Sequence, residues 1–264
     1  QSAYHEYFLA IQVDEGETFI MDDISILGNF DPTMWWPTSN LELGVILEGI
    51  EISAPFYSPE PTVYDKPTNN FLQKVRKIAN SNDAILILDE IVTGFRFDLG
   101  GGQKYFDVKG DFVCFGKGMG NGLPITAVTG ETEFMKAFDE LWVSSTNNSE
   151  TLSLAGTIAV INEMQEKNTI SSCWNQGEKL MQSWNKIVSS YNIQAKMEGY
   201  PVRMKMKCLD SSGKESMILK TIIMQEMVKR GIFMSQGVSF ISYSHSSADI
   251  DYTINALEET CKII

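Results

Sequence analysis

Two stretches of this chain are apolar without interruption and then stop on a charge. Ala84-Ile85-Leu86-Ile87-Leu88 runs into Asp89-Glu90, and Phe112-Val113-Cys114-Phe115 runs into Gly116-Lys117. A strand with one wet face alternates polar and apolar residues. A strand covered by helices on both faces does not, so the first run predicts a buried strand of a parallel sheet and the second a short buried strand. Phe71, Leu72, Val75, Ile78 and Ala79 recur at helical spacing between Asn69 and Asn80, ahead of the first run. Strand, loop, helix, strand is the alternation of an α/β fold.

In open α/β sheets, ligand sites lie at the carboxyl ends of the strands, so Asp89 and Lys117 would meet in one crevice. Position alone leaves three readings open: a buried ion pair, two unrelated loop charges, or a ligand site. Charges are rarely buried without a partner or a task. The glycines favour the ligand. Gly116, Gly118, Gly120 and Gly122 surround Lys117 with residues that let a flat molecule approach the backbone. A phosphate-cradling loop does not fit. It needs four residues between its glycines, then Gly-Lys-Ser/Thr, whereas five separate Gly110 from Gly116 and Gly118 follows the lysine.

A lysine paired with a carboxylate is what pyridoxal-phosphate chemistry uses. A neutral, desolvated amine condenses with the cofactor aldehyde as a Schiff base. The carboxylate keeps the pyridine nitrogen protonated, and the ring then draws electrons from the substrate.

Leu88-Asp89-Glu90-Ile91-Val92-Thr93-Gly94-Phe95-Arg96 resembles the signature of class III (ω-type) pyridoxal-phosphate aminotransferases. Phe115-Gly116-Lys117-Gly118-Met119-Gly120-Asn121-Gly122-Leu123-Pro124 continues it at that family's spacing. Ser145 to Ala155 and Gly237 to Thr253 are similar to segments of glutamate-1-semialdehyde 2,1-aminomutase and its relatives. The resemblance covers most of residues 40–264. It implies a PLP-transferase fold of type I: a large domain with a mostly parallel sheet (1–167), then a smaller C-terminal α+β domain (168–264). It implies that Asp89 pairs with the ring nitrogen, that Lys117 holds the cofactor and shuttles a proton, and that Thr146 donates to the cofactor phosphate of the neighbouring subunit. A homodimer with shared active sites follows from that. Glu48 stands at the family's Leu-Glu-Pro position, with Gly49 in place of the proline, and would border the site. Tyr4 is the candidate for the ring that stacks on the cofactor. Thr93, Gly94 and Arg96 would shape the turn after Asp89, and His245 would be an ordinary small-domain histidine.

The implied activity is amino-group transfer, as an aminotransferase or aminomutase, on a small amino acid, amine or amino-aldehyde. Alternatives are a non-catalytic relative on the same fold, or a pyridoxal-phosphate epimerase or decarboxylase. Family chains are longer at the N-terminus, and this one begins with Gln rather than Met, so the natural start is expected upstream.

Charge narrows the partners. With 34 acidic against 21 basic residues and a net charge of −13, the chain is repelled by nucleic acid and anionic membranes. No run nears the roughly 18 apolar residues of a membrane span. Cys114, Cys173, Cys208 and Cys261 lie far apart without a CxxC pair, and read as reduced, mostly buried thiols of a cytoplasmic protein. Only His5 and His245 occur, so no histidine-rich metal site is expected.

Further elements are expected as follows: a strand over 44–48, an irregular loop over 53–68, and a helix over 150–166 with Leu152, Leu154, Ala155, Ile158, Ile161 and Met164 on one side. Beyond these come a helix over 174–190, a strand over 202–206, a helix over 216–229, short strands at 232–233 and 238–243, and a closing helix over 248–263. The methionines of 204–234 are expected to pack a core.

Overall fold

The computed structural model describes residues 69–264 apart from 142–146, 149 and 236, together with Pro67 and the backbone of four short strands nearer the N-terminus. The chain divides into two compact units: Gln1–Pro61, Pro67–Gly94 and Gly100–Leu154 form one, and Thr62–Lys66, Phe95–Leu99 and Ala155–Ile264 the other.

The first unit holds β1 (Thr18–Met21), β2 (Ser25–Leu27), β3 (Gly44–Leu47), β4 (Ile50–Ser53), α1 (Phe71–Ser81), β5 (Leu86–Glu90), α2 (Gly101–Phe106), β6 (Phe112–Phe115), β7 (Ala127–Gly130) and α3 (Thr132–Met135). Its main sheet runs β2-β1-β5-β6-β7, and β3 pairs with β4 in a hairpin. β1, β5 and β6 are parallel, while β2 and β7 are antiparallel edges. The two uninterrupted apolar runs are thus adjacent parallel strands. Leu86, Ile87, Leu88, Phe112 and Val113 are all buried, as an unbroken apolar run predicts. α1 turns Val75 and Ala79 inward. Its Arg76 donates to Asp111 Oδ2 at 2.8 Å, and the same oxygen accepts from Leu86 N–H at 2.7 Å. One carboxylate therefore ties the helix to the start of the sheet's central strands. The expected loop over 53–68 begins later than the sequence suggests, since β4 runs to Ser53.

The second unit holds most of α4 (Thr151–Glu166), then α5 (Thr169–Ser190), β8 (Ala195–Tyr200), β9 (Arg203–Cys208), α6 (Met217–Lys229), β10 (Val238–Phe240) and α7 (Ser247–Cys261). β10-β9-β8 is an antiparallel sheet. Alternation along β9 sends Met204, Met206 and Cys208 wholly inside, where they meet Trp184, Ile223, Met227 and Leu257. Of the methionines of 204–234, Met204, Met206, Met227 and Met234 are buried and Met224 packs against them, but Met217, in the first turn of α6, is exposed. Arg203 is buried too, its guanidinium against the Phe240 ring, where that of Arg96 also lies. Ser216 caps α6 by accepting from Leu219 N–H at 3.2 Å. Ser246 and Asp249 close a reciprocal capping box on α7. No strand forms at 232–233, and the expected strand over 238–243 stops at Phe240.

α4 departs from its expected packing. Leu152, Leu154 and Ile158 are exposed, while Ser153 and Thr157 are buried. Apolar spacing announces a helix, but which side turns inward depends on what lies against it.

Candidate functional site at the ends of two parallel strands

Register places the candidate residues at the same end of two adjacent strands. In the β5–β6 ladder Asp89 stands opposite Cys114 and Glu90 opposite Phe115. Asp89 is thus near the carboxyl end of β5, and Lys117 follows the end of β6 by one glycine. Asp89 is 9% exposed and accepts a hydrogen bond from Ile91 N–H at 2.9 Å on Oδ1. Its charge reaches across the ladder: the Cys114 thiol is pushed up to about 11, first by burial and then by Asp89. The site's negative end is therefore a buried carboxylate.

Lys117 opens a single 3-10 turn, with φ at +37°. A residue with a side chain enters that region at a cost of about 1–2 kcal/mol, and such strain gathers at functional sites. The conformation is held by the lysine's own carbonyl, which accepts from Gly120 N–H at 3.2 Å and Asn121 N–H at 3.0 Å. The Lys117 side chain is exposed, so the described residues do not supply the desolvation expected around its amine. Among the described residues no cluster of three or more His, Cys, Asp or Glu side chains could hold a metal ion.

The turn after Asp89 is more elaborate than its sequence suggests. Glu90 is 3% exposed, and burial holds its carboxyl above the ordinary carboxylate range. It accepts from Thr93 Oγ1, from Gly102 N–H at 2.7 Å and from Gln103 N–H at 2.5 Å. Because side chains alternate along a strand, Glu90 faces α2 while Asp89 belongs to the opposite face. The expectation that Thr93 and Gly94 shape this turn agrees with these contacts: Gly94 N–H donates to Glu90 O at 2.8 Å. Glu90 itself was not singled out from sequence. An acid at a strand end with threonine three residues on was the available signal. Arg96 lies beyond the turn, in the second unit, its guanidinium 4.8 Å from the Phe240 ring centroid. His245 is exposed, and its Nδ1 accepts from Ser242 N–H at 3.1 Å. Tyr4, Glu48 and Thr146 lie outside the described residues.

These residues suit pyridoxal phosphate by the chemistry of their donor set. A buried carboxylate matches a protonated ring nitrogen, and an accessible primary amine one strand away matches an aldehyde. Lys117 and Asp89 would hold the cofactor.

Comparison with known proteins identifies the family. The aminotransferase class-III family profile matches residues 63–259. Glutamate-1-semialdehyde 2,1-aminomutase of Alkaliphilus oremlandii is 30% identical over 208 residues, covering 74% of this chain and 48% of that protein. The 3-aminobutyryl-CoA aminotransferase of Cloacimonas acidaminovorans is 28% identical, covering 79% of this chain and 51% of that protein. An omega-transaminase from Sphaerobacter thermophilus superposes with a TM-score of 0.68 at 20% identity, covering 77% of this chain and 50% of that one, which places the fold. The chain spans about half the length of the relatives it matches. With the family profile covering most of its length, the chain belongs to the class-III aminotransferases.

Proposed function

We propose that this chain carries the catalytic core of a pyridoxal-phosphate enzyme that transfers an amino group on a small amino acid, amine or amino-aldehyde, as an aminotransferase or aminomutase. The observation that carries the reading is the register: a buried carboxylate and a lysine at the carboxyl ends of two adjacent parallel strands. Pyridoxal phosphate, when bound, supplies an aldehyde that takes up the amino group and a ring that withdraws electrons. Asp89 would keep the ring nitrogen protonated, as a buried anion favours a neighbouring cation. Lys117 Nζ would hold the cofactor through its amine and, once free, would carry the proton.

A homodimer with shared sites belongs to the same reading, with Thr146 reaching the neighbouring phosphate. Support comes from α4, whose exposed Leu152, Leu154 and Ile158 present apolar surface suited to a second copy. A cytoplasmic location is proposed from the free cysteines.

The test is the visible spectrum of the chain with added pyridoxal phosphate, with borohydride reduction and peptide mapping. The expected result is a visible band, and after reduction a pyridoxyl mass on the Lys117 peptide, both lost in Lys117→Ala. A band indifferent to that substitution refutes the assignment.

A further inference from the structure

Glu90 does more than end a strand. Its carboxylate is buried with hydrogen-bond donors around it: Thr93 Oγ1 and the N–H groups of Gly102 and Gln103. A buried carboxylate costs several kinds of solvation, and a neutral or apolar side chain would fill the same space more cheaply. What the charge adds is strength and direction in the bonds it accepts. The surroundings are shaped to it. Gly101 has φ +82°, and a Cβ there would sit 2.8 Å from the Glu90 carboxyl carbon and 2.9 and 3.0 Å from its oxygens. A side chain at 101 would evict the carboxylate.

The bonds close on the 91–94 turn. Thr93 is fastened to the Glu90 side chain, and Gly94 N–H to the Glu90 carbonyl at 2.8 Å. Gly102 and Gln103 then moor the same carboxylate to α2. The first residue of that turn is Ile91, whose N–H reaches back to Asp89 Oδ1. A carboxylate's terminal torsion is broad and soft. A fixed N–H donor on Oδ1 helps set the plane of the group.

We propose that Glu90 is a positioning residue for Asp89: by fastening the 91–94 turn to α2 it holds Ile91 N–H on Asp89 Oδ1 and so orients the carboxylate toward the cofactor ring. This rests on the reading that Asp89 meets the ring nitrogen. A structural role alone would affect melting and nothing else; a positioning role also alters the amide of Ile91 and the protonation of bound cofactor.

The experiment uses the full chain with Glu90→Ala, Glu90→Gln, the near-isosteric Thr93→Val, and Asp89→Asn. Amide hydrogen exchange at Ile91 is measured without cofactor. Pyridoxal-phosphate affinity and the pH at which its visible band titrates are measured with it. Glu90→Ala is expected to speed Ile91 exchange and weaken cofactor affinity by about tenfold each, the worth of a well-made hydrogen bond. The band's titration should move with them. Glu90→Gln, which keeps an acceptor oxygen, should recover part of the loss. Thr93→Val should move all three readouts the same way by less, and it decides the matter should Glu90→Ala not fold. Lowered melting with Ile91 exchange and the band unmoved overturns the proposal, provided Asp89→Asn does move the band. If Asp89→Asn leaves the band and affinity unmoved as well, the reading of Asp89 falls and takes this proposal with it.

Discussion

Gly177 offers a test in which two elementary effects oppose each other. It lies in the middle of α5, where glycine is normally a weakness: replacing it with alanine should stabilise a helix by about 1 kcal/mol. Here a Cβ would lie 1.8 Å from the Pro201 carbonyl oxygen and 2.5 Å from its carbon. Pro201 is part of the turn between β8 and β9, so the obstacle is backbone and cannot rotate aside. Restoring an ordinary contact requires the helix and hairpin to part by about 1.5 Å. That motion would lift Leu180, Trp184 and Val188 off the core they share with Met197, Met204 and Met206. Overpacking typically costs 1–3 kcal/mol and more against a rigid neighbour. Taking the upper end of that range, about 3 kcal/mol, because the obstacle is backbone, and subtracting about 1 kcal/mol of propensity gain, Gly177→Ala is expected to destabilise the second unit by about 2 kcal/mol. Urea unfolding followed by tryptophan fluorescence measures it, since Trp174 and Trp184 both lie on α5. Asn175→Ala, exposed on the same helix, is the control and should gain a few tenths of a kcal/mol. A Gly177→Ala midpoint equal to or above that of the parent would refute the reasoning.

Four further outcomes are expected. Trp184→Ala, at a side chain 1% exposed, should cost about 3–5 kcal/mol and lower the melting temperature accordingly. Ser216→Ala removes the α6 cap and should cost about 1 kcal/mol by urea midpoint, with Ser216→Gly costing less. Burial raises the thiols of Cys208 and Cys261 to about 11, so iodoacetamide at pH 8 should label them slowly until urea unfolds the chain; rapid native labelling contradicts the buried assignment. For Glu90, burial raises the folded carboxyl above its ordinary 4.5, so the folded chain holds that proton more tightly than the unfolded chain. Its contribution to stability therefore declines as pH rises from the unfolded value through the folded one. Urea midpoints at pH 5 and pH 8 should show Glu90→Gln gaining on the parent at the higher pH; a constant difference would show that the carboxyl is not perturbed.

Much of the molecule is legible in its sequence because the signals are local. Two unbroken apolar runs predict strands with no wet face, and β5 and β6 are such strands. The charges that end them, Asp89 on β5 and Lys117 just past β6, are what make these strand ends the candidate site. The expected helices match α1, α6 and α7 to within two residues, while α5 begins five residues earlier than expected, at Thr169. Other elements left little trace. β8 is lysine- and glutamate-bearing and becomes a strand by pairing with β9, whose methionines it helps to cover. β7 is a short edge strand, held by the register of β6. α2 opens with two glycines and is poor in helix formers; Glu90 is what satisfies its first N–H groups.

What the sequence carried by itself, then, was the class of fold and the place of the proposed pair, Asp89 and Lys117, since alternation, its absence, and a charge at a strand's end lie within a few neighbouring residues. What tertiary structure decided was orientation. The outward turn of Leu152, Leu154 and Ile158, the exposed setting of Lys117, and the closing of Glu90 on a helix twelve residues away each depend on what packs against them. A side chain's neighbours across a fold are set by burial and register, which no local pattern records.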